Sequence, residues 1–296
     1  MPLLGEFAAL LTAFLWSGTS IVFTEATIRV GSIMVNITRM IIALFLLLLS
    51  IILMQLDISM SVSQILNLSW SGILGLVLGD TFLFRAFKDI GARISMLLMA
   101  LVPAITAVLA WVVLDEQLAV LGISGMLITM LGIAIVILER KAKGSMRASI
   151  PFKGVMWGVL GAIGQAAGLI LAKFAFNEAP IHGMVATTVR VAAAIIVFLP
   201  VALFLNWYRN PVSVFLRERK AFVFTSIGAV IGPYLGITFS LVAIAHTEVA
   251  IATTIMALPP IIMLPMLKLI YKEELSARSY VGAFLAVGGV ALLFLR

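Results

Sequence analysis

Residues 99–103 read Met-Ala-Leu-Val-Pro, and residues 256–260 read Met-Ala-Leu-Pro-Pro, 157 positions further along the chain. Identity at a fixed offset is the sequence signature of an internal duplication. The motif therefore predicts a fold made of two similar halves. The same offset aligns four more identical pairs, which are Glu116 and Glu273, Leu118 and Leu275, Gly125 and Gly282, and Gly132 and Gly289.

The two halves are separated by the most polar stretch of the chain, Glu-Arg-Lys-Ala-Lys-Gly-Ser-Met-Arg at 139–147. We therefore predict a first repeat over 1–140, a basic linker over 141–152 and a second repeat over 153–296. Short insertions in loops explain why pairs earlier in the two halves match at slightly smaller offsets. These pairs are Arg39 and Arg190, Gly75 and Gly228, and Gly79 and Gly232.

Composition places the chain in a membrane. Of its 296 residues, 63% are hydrophobic and 11% are charged, whereas soluble domains have roughly 45–50% apolar and about 25% charged residues. The apolar runs are too long and too uniform for barrel strands, so we interpret them as helices of roughly 20 residues, the length that crosses a bilayer. Ten such runs cover approximately residues 6–28, 33–54, 68–87, 93–113, 119–138, 153–175, 183–206, 221–243, 248–270 and 279–295.

Five spans in each half require the halves to enter the membrane from opposite sides, because an odd number of crossings reverses the direction of the chain. We therefore predict an all-α polytopic membrane protein with ten transmembrane helices arranged as two inverted five-helix repeats. Inverted repeats are described for many secondary transporters, in which two related bundles rock about a site near the bilayer midplane.

Lys and Arg residues are distributed unevenly between the connections. Sixteen of the 20 lie in the connections after runs one, three, five, seven and nine, and the opposite face carries only Arg296. Basic residues concentrate on the cytoplasmic side of membrane proteins. The distribution therefore predicts that both termini lie outside. The short loops and the absence of a targeting sequence predict the cytoplasmic (inner) membrane.

Acidic pairs follow the two Met-Ala-Leu-x-Pro motifs, within Asp-Glu-Gln-Leu at 115–118 and Lys-Glu-Glu-Leu at 272–275. This doubled arrangement resembles the EamA-domain family of the drug/metabolite transporter superfamily over nearly the whole chain. The resemblance implies a ten-helix permease in which helices one to four and six to nine surround a substrate path, while helices five and ten pack peripherally. It also implies a small organic solute, such as an amino acid or a related metabolite, and cytoplasmic termini, the reverse of what the basic residues predict.

Charged side chains inside the predicted spans are the first functional candidates, because a charge in hydrocarbon costs at least about 2.5–3.5 kcal/mol and needs a partner or water. For Asp80 we predict either a site of proton coupling or a fixed ion pair with an arginine, for example Arg39. The matched residues Arg39 and Arg190 are predicted near opposite faces. There they gate the path or hold a substrate carboxylate, or their long side chains snorkel to the interface. Lys173 and Glu25 lie near helix ends and are predicted at the interface.

Uncharged polar residues mark one face of the first helix. Thr12, Trp16 and Ser20 recur at i, i+4 and i+8, and Gln165 falls near the position equivalent to Trp16. We predict that Trp16 and Gln165 line the substrate path, with hydrogen bonding between helices as the alternative. Aromatic residues such as Tyr234 permit a planar or amphipathic solute.

Prolines inside the apolar runs mark places where a helix bends. Pro103 falls in the fourth run, Pro233 in the eighth, and Pro259 and Pro260 in the ninth. Each removes a backbone donor, so that a freed carbonyl can bind solute or water. They predict either hinges or static bends. Small residues four apart predict close helix packing, within the chain or between protomers, at positions 125 and 129 and at positions 282 and 286.

The composition argues against several other classes of function. The chain has no Cys and two His, which excludes disulfides and thiolate sites and disfavours a histidine metal site. No Walker loop is present, so we expect no cofactor and transport driven by a gradient or by exchange. The net charge of +7 is assigned to cytoplasmic loops and not to nucleic-acid binding.

Alternatives remain both outside and inside the transporter class. Gly-Ile-Ser-Gly at 122–125 matches the Gly-x-Ser-Gly string of intramembrane serine proteases, with Ser124 as nucleophile and His182 or His246 as base. A channel has no supporting ring of charges or filter string. For a transporter, the solute remains open between an amino acid, a nucleotide sugar, a polyamine-like cation and a lipid carrier. The oligomeric state remains open between a monomer and a homodimer.

Overall fold

A computed structural model describes residues 3–117, 119–138, 151–262 and 277–295, and every regular element within them is a helix. The all-α class predicted from the sequence is confirmed. Most of the predicted linker, the end of the ninth apolar run and the motif at 272–275 lie outside the described residues.

The described residues form helices α1 to α10, with one short helix, Pro211–Arg217, before α8. Gly91, at a φ of 75°, separates α3 from α4, a backbone conformation that glycine adopts without a steric penalty. The helices are α1 (Leu4–Val30), α2 (Ser32–Met54), α3 (Val62–Gly91), α4 (92–99 and Val102–Leu114), α5 (Val120–Leu138), α6 (Phe152–Glu178), α7 (Gly183–Phe204), α8 (Arg219–His246), α9 (Val249–Ile262) and α10 (Ala277–Phe294).

The length and surface of these helices suit a lipid bilayer. Among the described residues, α1 to α3 and α6 to α8 are long and apolar enough to cross a membrane, and α4, α5, α9 and α10 contribute shorter apolar stretches. The large side chains of Phe45, Ile196 and Phe284 are 67%, 72% and 79% exposed, as expected of a surface that contacts lipid. The protein is therefore a multi-pass membrane protein, as predicted.

The helices of one half pack against those of the other in matching ways. Helix α1 packs along α8, and α6 packs along α3. Helix α2 contacts α7, and α5 contacts α10. Exchanging α1–α5 with α6–α10 leaves this pattern of contacts unchanged, as expected for two copies of one five-helix unit.

Both α3 and α8 contain a π-helical segment, Ile73–Gly79 and Val230–Gly236. The segments are 157 residues apart, the offset at which the Met-Ala-Leu motifs repeat. A π-helix bonds residue i to residue i+5 and is frequent at functional sites. Aligning the two π-helical segments residue by residue pairs Gly75 with Gly232. The sequence comparison paired Gly75 with Gly228, which is wrong by four residues.

Glycines on α6 bring this helix close to the π-helical segment of α3. A Cβ atom on Gly164 would lie 2.8 Å from the Cα of Gly79, and one on Gly168 would lie 3.1 Å from the Cα of Gly75. Because no side chain separates the two backbones here, Gln165 lies directly beside the end of the segment.

Helices α5 and α10 also pack through small residues. A Cβ atom on Gly125 would lie 2.8 Å from the carbonyl oxygen of Gly289. The Thr129 hydroxyl donates to Gly125 O at 2.8 Å and lies 3.4 Å from Ala286 O. The small-residue pairs that predicted close packing therefore pack on one another within one chain.

Candidate functional site

A cavity lies between helices of both halves, and its water-accessible volume is about 110 Å³. Among the described residues, α1 to α4 and α6 to α9 contribute to its wall, and α5 and α10 do not. This is the arrangement that the family resemblance implied. The charged and polar residues of the wall are Thr19, Ser20, Arg39, Asp80, Gln165, Arg190, Ser240 and Thr253.

Asp80 follows the π-helical segment of α3 and is 6% exposed. An Nη2 hydrogen of Arg39 donates to its Oδ2, and the Gln165 side-chain amide donates to its Oδ1. Both carboxylate oxygens therefore have a partner, which offsets the cost of burying the charge. Of the two sequence-based interpretations of Asp80, this conformation contains the ion pair with Arg39.

Arg39 is held by contacts from three helices. Its Nε and Nη2 donate to the side-chain carbonyl of Asn36 at 3.0 and 2.8 Å. Its guanidinium lies 5.4 Å from the ring centre of Phe23 and 4.8 Å from that of Phe84, within the range of cation–π attraction. Arg39 is 4% exposed and points into the protein, so the snorkelling alternative is wrong for this residue.

Asn36 and Gln165 also bind the backbone of the π-helical segment. The Asn36 amide donates to Leu76 O at 2.9 Å and to the Thr81 hydroxyl at 3.0 Å. The Gln165 amide lies 3.3 Å from Gly75 O. Side chains of α2 and α6 thus satisfy carbonyl groups of the irregular turn, and the same side chains position Arg39 and Asp80.

Arg190 on α7 is the repeat counterpart of Arg39, and its surroundings differ. It is 2% exposed and lines the same cavity, whereas the sequence placed the two arginines near opposite faces. Among the described residues, its Nε and Nη1 have no hydrogen-bond partner. Asp80 is close enough to interact with it electrostatically. Within the described part of the chain, Arg190 is therefore a buried cation with two guanidinium nitrogens that make no hydrogen bond.

The uncharged residues predicted for the path divide into two groups. Trp16 and Gln165 line the cavity, together with Ser20. Thr12 donates its hydroxyl to Ala8 O at 2.8 Å. Tyr234 is absent from the described part of the cavity wall, and its hydroxyl lies 2.7 Å from that of Ser50 on α2.

The Met-Ala-Leu motifs occupy breaks in α4 and α9 that border the cavity. The first segment of α4 ends at Met99 and the next begins at Val102, followed by Pro103. In α9 the helix is interrupted at 257–258 before Pro259 and Pro260. The motif residues in the wall are Met99, Ala100, Val102, Met256 and Ala257. Pro233 lies in the π-helical segment of α8.

A second polar cluster joins the α4–α5 loop to α6 and to the start of α9. Glu116 accepts from Val249 N at 3.0 Å, and its other oxygen lies 3.7 Å from the Lys173 amine. Lys173 also donates to Ile244 O at 2.7 Å and to Thr247 O at 3.0 Å. Burial raises the pKa of the Glu116 carboxyl, and the charge of Lys173 only partly opposes this. The sequence placed Lys173 near a helix end but did not identify these partners.

The comparisons with known proteins agree with this architecture. The sequence matches the EamA-like transporter family over residues 3–138 and again over residues 152–295. The chain belongs to the EamA-like transporter family. A crystal structure of another protein superposes on this EamA-like transporter with a TM-score of 0.73, covering 100% of this chain and 98% of the other at 17% identity. That likeness shows a shared fold. No curated protein matches the sequence.

Membership of the EamA-like transporter family supports a transporter and not an enzyme. Ser124, the nucleophile of the protease alternative, donates its hydroxyl to Val120 O at 2.8 Å within α5. His182 accepts from Met184 N at 3.3 Å, and His246 contacts Val242 O at 2.9 Å. The serine and both histidines therefore make local backbone contacts.

Sequence reasoning missed three residues that hold Arg39. Asn36 precedes Arg39 by three positions, so the two side chains share a helix face. Phe23 extends the face of α1 that carries Trp16 and Ser20, one turn further along. Both had a signal in helical spacing, whereas Phe84 on α3 had none beyond its proximity to Asp80.

Proposed function

We propose that this EamA-like transporter is a secondary permease that moves a small organic metabolite, such as an amino acid or a related solute, by alternating access. The observation that carries the proposal is a cavity containing buried charges, walled by helices of both repeats. Breaks in α4 and α9 border this cavity, and such breaks let part of a helix move without unfolding the rest.

The proposed arrangement is ten membrane spans in two inverted repeats, with both termini outside the cytoplasmic membrane. The matched packing of α1 on α8 and of α6 on α3 supports two copies of one unit, and the basic residues in the connections after runs one, three, five, seven and nine support termini on the outside. The natural chain has no cysteine, so single cysteines at positions 144 and 296 can be labelled from either side of sealed vesicles. We expect the two positions to react in opposite compartments. Reaction in the same compartment would contradict the inverted arrangement.

We further propose that Asp80 couples transport to protons. In the present conformation the Asp80 carboxylate is paired with Arg39. A state that separates the pair would leave a carboxylate in a poorly solvated place, where it takes up a proton more readily. The separation and reformation of this pair would then link proton uptake and release to the movement of the solute.

The test of transport and coupling is uptake of a mixture of radiolabelled amino acids and small monocarboxylates into proteoliposomes, with and without an imposed pH gradient. We expect the gradient to change uptake by the wild-type protein and to have no effect on Asp80→Asn. Protein-free liposomes are the control for leakage. An equal response of both proteins to the gradient removes the coupling role of Asp80 and leaves the permease in place.

A further inference from the structure

We propose that Arg190 binds the anionic group of the transported solute, and that this solute is a monoanion, such as a carboxylate, with a largely apolar body. The inference rests on the proposed permease and narrows its substrate class.

Among the described residues, the buried Arg190 side chain has hydrogen-bond donors without a partner. Nε and Nη1 are buried and have no hydrogen-bond partner among the described residues. Leaving a charged donor buried and unpaired is costly, and more so in a membrane protein where no bulk water is close. Asp80 attracts Arg190 electrostatically, but the hydrogen bonds of its two carboxylate oxygens among the described residues go to Arg39 and Gln165. A guanidinium in this condition is suited to a partner that arrives from the cavity.

The matched arginines of the two repeats, Arg39 and Arg190, have different surroundings. In the first, Arg39 is bound by Asn36 and Asp80. At the offset that pairs Arg39 with Arg190, Thr187 replaces Asn36, and its hydroxyl donates to Gly183 O at 2.8 Å within its own helix. The π-helical register pairs Asp80 with Ile237, an apolar residue of the cavity wall. The second repeat therefore keeps the arginine and lacks both of its partners.

The described wall of the cavity carries a net positive charge. Among its described residues, the ionisable side chains are Arg39, Asp80 and Arg190, so the ionised wall carries one excess positive charge. One monoanion balances it. No second carboxylate is present among the described wall residues to pair with an ammonium group, which disfavours a cation and weakens the case for a zwitterion. Much of the wall is apolar, including Phe23, Leu83, Phe84, Phe87, Met96 and Leu169.

Arginine suits this role because its planar guanidinium binds a carboxylate through two parallel hydrogen bonds. A solute carboxylate between Arg190 and Ile237 would take the place that Asp80 takes beside Arg39. The excess charge would then be neutralised only while solute is bound, so the loaded and empty carriers would differ in the electrostatic cost of burying the site.

The experiment uses four solutes that share a phenyl body and differ in charge at pH 7. They are 3-phenylpropionate, its neutral amide, phenylalanine as the zwitterion and phenethylamine as the cation. Each is titrated against the full-length protein in detergent, and the dissociation constant is obtained from the rise in melting temperature, because a ligand of the folded state stabilises it. We expect 3-phenylpropionate to bind at least about tenfold more tightly than the amide, the size of effect that a charged hydrogen bond supplies.

The variants assign the effect to Arg190. Arg190→Gln should weaken binding of 3-phenylpropionate about tenfold and leave binding of the amide unchanged. Arg190→Lys should have an intermediate affinity for 3-phenylpropionate, because lysine keeps the positive charge but lacks the planar guanidinium that makes two parallel hydrogen bonds. Arg209→Gln, at an exposed arginine outside the described cavity wall, should match the wild type. Because Nε and Nη1 of Arg190 have no hydrogen-bond partner among the residues that the structure describes, Arg190→Gln should melt no lower than the wild type, so a loss of binding is not a loss of folding.

The proposal is overturned if the amide, phenylalanine or the amine binds as tightly as 3-phenylpropionate, if Arg190→Gln keeps the preference for 3-phenylpropionate, or if none of the four solutes raises the melting temperature. Counterflow in proteoliposomes separates this proposal from transport itself. Flux that is insensitive to Arg190→Gln and to solute charge leaves the permease and removes the anion site. Binding at Arg190 without any flux leaves the anion site and removes the permease.

Discussion

Arg39 and Asp80 are buried together, and each is the ion-pair partner of the other. Asn36, Phe23 and Phe84 complete the surroundings of the guanidinium. The sequence named the Arg39–Asp80 pair as one alternative because a charge in an apolar span needs a partner. It gave no means of ranking Arg39 above Arg190, since both arginines sit in similar apolar runs. Only the packing of α2, α3 and α6 decides which one reaches the carboxylate.

The losses of stability from removing Arg39 and from removing Asp80 should not be additive. Arg39→Met and Asp80→Asn should each lower the free energy of unfolding by about 3–5 kcal/mol, because the remaining group is buried without its partner. The double variant should lose less than the two single losses added together. The measurement is denaturant or thermal unfolding in detergent, with Arg217→Met, at an exposed arginine, as the control. Additive losses would show that the two side chains act independently.

Glu116 should make stability depend on pH in a defined direction. Burial raises its pKa above the ordinary 4.5, so the folded protein binds this proton more tightly than the unfolded chain. The contribution to stability is therefore full below about pH 4.5 and falls as pH rises to the raised pKa. Lys173 and Glu248 are the neighbouring charges that act on it.

The measurement is the melting temperature of the wild type minus that of Glu116→Gln, taken at a series of pH values from about 4 upward. Other titrating groups contribute to both proteins and largely cancel in the difference. We expect the difference to fall with rising pH and then to level off. A difference that rises over this interval would mean that the Lys173 ion pair outweighs burial.

Between helices α3 and α8, identical residues alone do not determine how the two repeats align. The second half has glycines at 228, 232 and 236, each four residues from the next, so two alignments to Gly75 and Gly79 are equally good. The packing partner decides between them. Gly79 lies against Gln165, and Gly236 lies against Trp16, the residues that the sequence had already matched.

The contact between α3 and α6 should be intolerant of added volume. A Cβ atom on Gly168 would lie 2.9 Å from Ser71 O and 3.1 Å from the Cα of Gly75, whereas a Cβ on Gly288 of α10 would meet nothing within 4 Å. Gly168→Ala should lower the free energy of unfolding by about 1–3 kcal/mol, because both neighbours are backbone atoms.

Gly288→Ala is the matched control and should raise stability by up to about 1 kcal/mol through helix propensity. Thermal unfolding of the two variants in the same detergent makes the comparison. Equal melting temperatures would mean that α6 can move away from α3 at little cost, and that the close backbone contact is unimportant for the fold.

At the scale of the whole molecule, duplication and family membership were readable from the sequence because they rest on repeated identities spread along the chain. The second polar cluster was not, since Glu116, Lys173 and Val249 come from distant parts of the sequence and meet only through packing. The same limit applies to Tyr234. Its aromatic ring suggested a contact with the solute, yet its hydroxyl contacts Ser50 on α2.

Alternating access requires the cavity between the two repeats to open to each side of the membrane in turn. Ala257, in the α9 break and in the cavity wall, can carry a single cysteine in a chain that has none. The measurement is the labelling of Ala257→Cys by a membrane-impermeant thiol reagent in right-side-out and inside-out vesicles. Phe284→Cys on the exposed surface of α10 is the control. We expect Ala257→Cys to react in vesicles of both orientations while the vesicles stay sealed. Reaction in only one orientation would show that the cavity opens to one side alone.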